Sequence, residues 1–271
     1  MNDLLIYCLC LNDNLLSKVK NLNYEPVGVG KSNFSNEWLR DNTKINISKK
    51  NPYYGEYSFH YWLWKNHLDN IVDGTWIGFC TYRRFWNQKK ERKNDTIFDI
   101  FGDSLKQVPK EWTDFDTILA NKIDLTNLKW MKVLKYGKLA LLRNPKAIFK
   151  NGRSIRFNFD MFHGNGILDK AIEFLKEEDK EDFRKFVNTN TSINQCNLFI
   201  CRSKETIKKY YETIFEWFEK LEEIFGFDLE GYGKIRIYCF LSERFLPYWF
   251  MKNSKCMEWP ISFKDLNTQT V

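Results

Sequence analysis

Between Asn46 and Trp86 the chain passes from a polar loop, through a helix dense in aromatic side chains, into a short apolar strand that stops at two arginines. Tyr57, Tyr61 and Trp64 recur at three- and four-residue spacing, which predicts a helix over Pro52 to Leu68 with one face in a core. Pro52 sits where a first helical turn tolerates proline. Thr75 to Cys80 is a compact, largely apolar run of strand length. Tyr82-Arg83-Arg84 follows at the end of that strand, the edge where open α/β sheets place their ligands. Two guanidiniums there form a planar, permanently charged clamp for phosphate. An isolated Arg-Arg pair more often marks a solvated turn, but Phe85 and Trp86 put too much apolar area beside this one.

The rest of the chain alternates strands with helices and so predicts an α/β sheet. Leu4 to Leu11 reads as a first buried strand, and Pro26 to Gly30 as a second short strand or a turn. Ser32 to Asn51 is a polar and aromatic loop that faces a ligand. Asp95 to Gln107 predicts a helix and Thr117 to Ala120 a strand. Helices follow over Asn165 to Lys176 and Lys180 to Val187, and Asn197 to Cys201 is strand-like. Ser203 caps a long amphipathic helix running to Phe225. A last helix spans Gly233 to Phe250, and Pro247 is expected to bend or end it. With 271 residues, no internal repeat and no Pro/Gly-rich linker, a single compact unit is expected.

These motifs resemble a family of bacterial glycosyltransferases first catalogued as a domain of unknown function and linked to galactofuranosyl transfer. Asn46-Ile47-Ser48, Asn51, Tyr54, Glu56, Tyr61-Trp62, Trp64-Lys65-Asn66, Gly78, Cys80 and Tyr82-Arg83-Arg84-Phe85 fit its pattern. So, later in the chain, do Asp116-Thr117-Ile118-Leu119, Asn197-Leu198-Phe199-Ile200, Arg236 and Ser242-Glu243-Arg244-Phe245. Thr81 departs from the family's His, and Cys10-Leu11-Asn12-Asp13 stands where the family has His-Lys. The resemblance implies a GT-A-like fold, a mixed central sheet flanked by helices with a helix-rich C-terminal half. It places nucleotide binding in about residues 1–125 and acceptor binding in about 126–271. It implies transfer of galactofuranose from UDP-galactofuranose to a glycan or lipid-linked saccharide, with inversion, in cell-surface polysaccharide synthesis. Two other readings stay open: a retaining galactopyranosyltransferase on the same fold, and a non-catalytic module that binds glycans or polyanions.

Glycosyl transfer needs positive charge at the leaving diphosphate and a base for the acceptor hydroxyl. The donor side is expected to use Tyr82, Arg83 and Arg84, with Asn46, Ser48, Asn51 and Arg244 added by the resemblance. Glu56, costly if buried alone, is expected to orient Arg83 or Arg84. Glu243 is the first candidate base, set among Tyr238, Phe240, Leu241 and Phe245, with an ion pair to Arg244 or Arg236 as its alternative role. His163 is the reserve, or else a helix-entry residue. Asp114-Phe115-Asp116 precedes an apolar strand instead of following one, so it reads as a strand-entry turn and not as a metal site. His60 and His67, seven apart on one helical face, lack a third ligand and read as packing or solvent-exposed residues, not as a zinc site. No metal ligand or cofactor is named; a divalent manganese or magnesium ion stays open.

Seven cysteines, an odd number without regular spacing, predict free thiols in a reducing cytoplasm. No window approaches the roughly 20 apolar residues of a membrane span, and the N-terminus has no basic-then-apolar leader. The net charge of +7 is concentrated: Lys129 to Arg156 holds nine Lys or Arg and no acid, interleaved with Trp130, Leu141 and Phe149. Such a segment suits an anionic membrane surface or a lipid pyrophosphate, with Lys129, Lys132, Lys135 and Arg143 as docking residues. A solvated basic face lying over the core is the alternative. Peripheral association with the inner face of the membrane follows from the first reading. No nucleic-acid partner is expected, because no helix-turn-helix, zinc knuckle or RNP-like motif is present.

Overall fold

A computed structural model describes residues 3–91 and 98–269. The chain divides into two compact units. The first takes residues 1–121, 198–211 and 253–271, and the second takes residues 122–197 and 212–252.

The first unit is built on a mixed sheet of β1 (Leu4–Cys10), β2 (Glu25–Gly28), β3 (Leu39–Arg40), β4 (Trp76–Thr81), β5 (Arg84–Trp86), β6 (Thr117–Ala120), β9 (Phe199–Cys201), β10 (Cys256–Trp259) and β11 (Ile261–Phe263). The main path runs β10-β6-β9-β4-β1-β2-β3, and β5 pairs with β4 and β11. β1, β2, β3 and β4 are mutually parallel, while β9 runs antiparallel between β4 and β6. A parallel strand covered on both faces needs apolar residues at nearly every position. β1 obeys this, with Ile6 to Cys10 buried. At Gly78 a Cβ would meet Ile200 Cγ1 at 2.8 Å, so the glycine admits a close approach of β9 to β4.

The aromatic helix differs from its expected form. Gly55, at φ +57, divides the expected Pro52–Leu68 helix into Asn51–Tyr54 and Tyr57–Asn66. Burial also extends around most of the second helix. Tyr57, Phe59, His60, Trp62 and Leu63 are buried, whereas Tyr61 and Trp64 are half-buried. A helix dense in aromatics on every side has no single core face. His67 lies beyond its last turn, so the two histidines do not share a helical face.

The expected Asp95–Gln107 helix falls partly outside the described residues. Within them helix covers Ile100–Asp103, where Asp99 caps the Phe101 and Gly102 amides. Leu105 instead donates its amide to the Trp86 carbonyl, which ends the helix. Ser203 caps the long helix Lys204–Phe225 through the Thr206 amide, as expected.

The second unit is mostly helical, with a short antiparallel pair of β7 (Lys122–Asp124) and β8 (Ser192–Asn194). Helices Ile155–His163, Ile167–Ile172 and Glu177–Thr189 precede the helix Ile237–Asn253. That last helix runs through Pro247 to Asn253 and is not ended by it. Pro247 has no N–H for the Glu243 carbonyl, so the helix loses one internal bond there. Packing offsets the loss: Phe245, Leu246, Pro247, Tyr248, Trp249 and Phe250 are all buried. All seven cysteines are free thiols, as expected. No helix among the described residues is long and apolar enough to cross a membrane.

Candidate functional site

The parallel β2, β1 and β4 end on one edge, at Gly28, Cys10 and Thr81. Past that edge Val29 donates to the Cys10 carbonyl at 3.0 Å, and Tyr82 to the Leu9 carbonyl at 3.1 Å. The chain then turns sharply. Thr81 pairs antiparallel with Arg84, so Tyr82 and Arg83 are the two turn residues of a hairpin. The C-terminal segment holds this turn, with Lys264 donating to the Arg83 carbonyl at 3.1 Å and Leu266 to the Tyr82 carbonyl at 2.9 Å.

Arg83 Nε donates to Asp265 at 2.8 Å. Burial would raise the Asp265 carboxyl, but hydrogen bonds from Asn267 and Arg83 outweigh it and hold the group below the usual carboxylate range. Arg83 is thus held by Asp265, while Glu56 sits at the start of the aromatic helix, where its charge raises the Tyr210 phenol after burial has done most of that. The acid that does orient Arg83 is 182 residues away in sequence, beyond the reach of local pattern. Arg84 lies 5.4 Å from the Phe263 ring, and no carboxylate among the described residues pairs with it. Thus the two arginines are not equivalent: one fixes the turn, and the other has no carboxylate partner among the described residues.

A third arginine joins this edge, and sequence reasoning missed it. Arg40 pairs across from Gly28 at the end of β3. Its Nη1 and Nη2 donate to the Ser32 and Gly30 carbonyls at 3.2 Å each, and its guanidinium sits 4.3 Å from the Phe34 ring. Its buried Nε has no acceptor among the described residues. Next to it, Asp41 accepts from Ser58 Oγ at 2.5 Å, and Ser58 accepts from Asn51 at 2.8 Å. Burial raises the Asp41 carboxyl, and Ser58 and Arg40 pull it partly back. Asn51 also donates to the Gly55 carbonyl at 2.9 Å, while its Oδ1 lies beside Gly30. The expected donor residue Asn51 therefore ties the edge loop to the aromatic helix.

Asn46 and Ser48 knit their own loop. Asn46 Oδ1 accepts from the Ser48 hydroxyl at 2.8 Å, and Asn46 Nδ2 donates to the Lys44 carbonyl at 2.9 Å. Asn66 brackets Ile45, donating to its carbonyl at 2.7 Å and accepting its amide at 3.2 Å, while Trp62 donates to Thr43 Oγ1 at 2.9 Å. Trp62 and Asn66, one turn apart on the helix, thereby bracket the loop. His60 is a packing residue, bonded to the Tyr211 hydroxyl at 2.7 Å and pushed down to about 3 by burial. Asp116 enters β6 and takes two hydrogen bonds from Arg202, at 2.7 and 3.0 Å. Among the described residues no three His, Cys, Asp or Glu form a metal-sized group.

In the second unit, Cys196 and Asn197 are consecutive left-handed residues, at φ +73 and +51. Such strain needs holding. Glu243 Oε1 accepts the Cys196 amide at 2.7 Å, and Asn197 donates to the Cys239 carbonyl at 3.1 Å, one turn earlier on the same helix. The other Glu243 oxygen is paired with Arg244. Buried Arg244 also donates to Asn158 at 3.1 Å and lies 3.5 Å from His163 Nε2, and its buried Nε has no acceptor among the described residues. His163 ends its helix and does not begin one; it stacks on Phe240 and directs Nδ1 to the Gly233 carbonyl at 3.0 Å. Burial, then the Arg244 charge, push it down to about 3. Of the docking residues, Lys129, Lys132 and Lys135 are exposed, but Arg143 is tied to Asp169 at 2.9 Å.

Residues 12–254 match the family described as a domain of unknown function, DUF4422, and the chain belongs to that family. The sequence matches no curated protein. Among solved structures it is similar to the apo form of WbbM, a bifunctional glycosyltransferase, with TM-score 0.65 and 23% identity. The match covers 97% of this chain but 45% of that one, so this chain spans less than half of its neighbour's length. The fold is therefore GT-A-like, a mixed central sheet flanked by helices.

Proposed function

We propose that this DUF4422 member is a glycosyltransferase that moves galactofuranose from UDP-galactofuranose onto a glycan or lipid-linked saccharide, with inversion, in cell-surface polysaccharide synthesis. The observation that carries the reading is the cationic edge of the parallel strands, where, among the described residues, Arg84 has no carboxylate partner and the buried Nε of Arg40 has no acceptor. In the transfer, the acceptor hydroxyl oxygen bonds to the anomeric carbon as the bond from that carbon to the diphosphate breaks. The electron pair leaves on the diphosphate, where guanidiniums meet the developing charge without reorganising. The hydroxyl proton goes to a base. Glu243, the candidate that the resemblance supplies, serves only by releasing the Cys196 amide and Arg244, while His163, pushed down to about 3, has little tendency to take a proton at neutral pH. Arg83, held by Asp265, acts as a positioning residue for the turn.

Calorimetric titration with UDP, with and without manganese, tests this reading in the native protein and in Arg84→Ala and Arg40→Ala. Loss of a charged hydrogen bond should weaken binding by about 1.5–3 kcal/mol. Unchanged affinity in both variants would sink the phosphate assignment. In the same preparation, Glu243→Gln should lower turnover by about 10²–10⁴ with UDP affinity intact.

A further inference from the structure

The segment from Lys129 to Asn151 inverts the usual sorting of side chains. Its helices Trp130–Tyr136 and Lys138–Arg143 and its following turns bury Val133, Ala140 and Ala147, three small residues spaced seven apart. These seat the segment on Phe157 and Met161 of the helix Ile155–His163. Leu141 packs partly against the same cluster, but the other large apolar side chains of the segment are exposed. Met131 is 83% exposed, Leu142 79%, Phe149 73% and Leu139 66%, and Trp130 and Leu134 are also exposed. On a helix of about 3.6 residues per turn, Trp130, Leu134 and Met131 fall within one arc of roughly 100°, with Lys135 and Lys132 on the next. Tyr136 and Phe162 extend the apolar area through a ring contact at 6.5 Å.

Charge identifies what covers this face. Six lysines from Lys129 to Lys150 are all exposed. The three arginines are otherwise engaged: Arg143 and Arg156 hold Asp169, and buried Arg153 staples the base of the segment to the Thr126 and Leu128 carbonyls at 2.8 Å. No acid lies between Lys129 and Arg156. A second copy of this face would bring like charges together, and a nucleic acid would leave Met131, Leu139 and Leu142 without apolar contact. An anionic bilayer satisfies both kinds of residue, with aliphatic and aromatic groups at the acyl boundary and lysines at the headgroups.

We infer that the Lys129–Asn151 face docks peripherally on a membrane surface containing anionic phospholipid. This is independent of the transfer reading, because it is read with no nucleotide sugar present. The native protein should pellet with vesicles of phosphatidylglycerol and phosphatidylcholine, weakly with phosphatidylcholine alone, and less as salt rises. Lys132→Glu/Lys135→Glu should lower partitioning by about tenfold or more, since each cation near an anionic surface contributes measurably. Met131→Ser/Leu142→Ser should also weaken it, with an unchanged melting profile. Brominated lipid should quench tryptophan emission in the native protein and not in Trp130→Phe. Equal pelleting on neutral and anionic vesicles, or full binding by both double variants, would overturn the inference. So would self-association that the same substitutions abolish, which would assign the face to a second copy.

Discussion

The aromatic helix Tyr57–Asn66 and the basic segment Lys129–Asn151 are similar in hydrophobic content but opposite in what they hide. The first buries Phe59, Trp62 and Leu63 and leaves Lys65 outside, over the Trp64 ring at 3.3 Å. The second buries Ala140 and Ala147 and leaves Met131 and Leu142 outside. Composition cannot tell these two cases apart. What separates them is the size of the residue at the inward position, because a large side chain seated inward gains burial while a small one permits only a thin contact.

The largest effect that could break this contrast is truncation in the aromatic helix. Trp62→Ala removes a buried ring and its bond to Thr43, and should destabilise the first unit by about 3–5 kcal/mol in denaturant unfolding. A loss below about 1 kcal/mol would mean that the helix is not core in the sense argued.

Acid should separate the regions next. His60 titrates near 6.5 when unfolded and near 3 when folded, because burial disfavours its charged form. Between those values the unfolded chain binds a proton that the folded chain refuses. The stability is thus complete above pH 6.5 and is lost as pH falls toward 3, by about 1.4 kcal/mol per pH unit. His163 adds the same trend in the second unit. His60→Gln should flatten the pH dependence of unfolding over this window; an unaltered slope would show that His60 takes up its proton without unfolding.

Smaller again is the effect of filling the thin contact beneath the basic segment. Ala140→Leu should cost about 1–3 kcal/mol by overpacking against Phe157 and Met161. Leu142→Ser, on the outward side, should stay within about 0.5 kcal/mol. Thermal melts of both variants check the pair. Equal costs would place Leu142 in a packed layer and remove the distinction between inward and outward positions.

Much of the site was legible in the chain. The strand ending in Tyr82-Arg83-Arg84 lies on the expected edge, because an apolar run that stops at a cationic pair has few places to go in a sheet. Glu243 and Arg244 are neighbours in sequence, so their ion pair could be foreseen as an alternative role. Arg40 left no comparable signal, since β3 is two residues long and exists through its pairing with β2. Nor could local pattern show that Asp265 holds Arg83.

By itself the sequence determined the period of each element, the caps, the concentration of charge in one segment and the aromatic supply for a core, all properties of residues within a few positions of one another. Tertiary structure decided which face each element turns inward and which acid each guanidinium meets. Those outcomes depend on partners far along the chain, such as Asp265 for Arg83, Cys196 for Glu243 and Phe157 for Ala140. A side chain's periodicity is local, but its burial and its ionic partner are set by whatever the folded chain brings beside it.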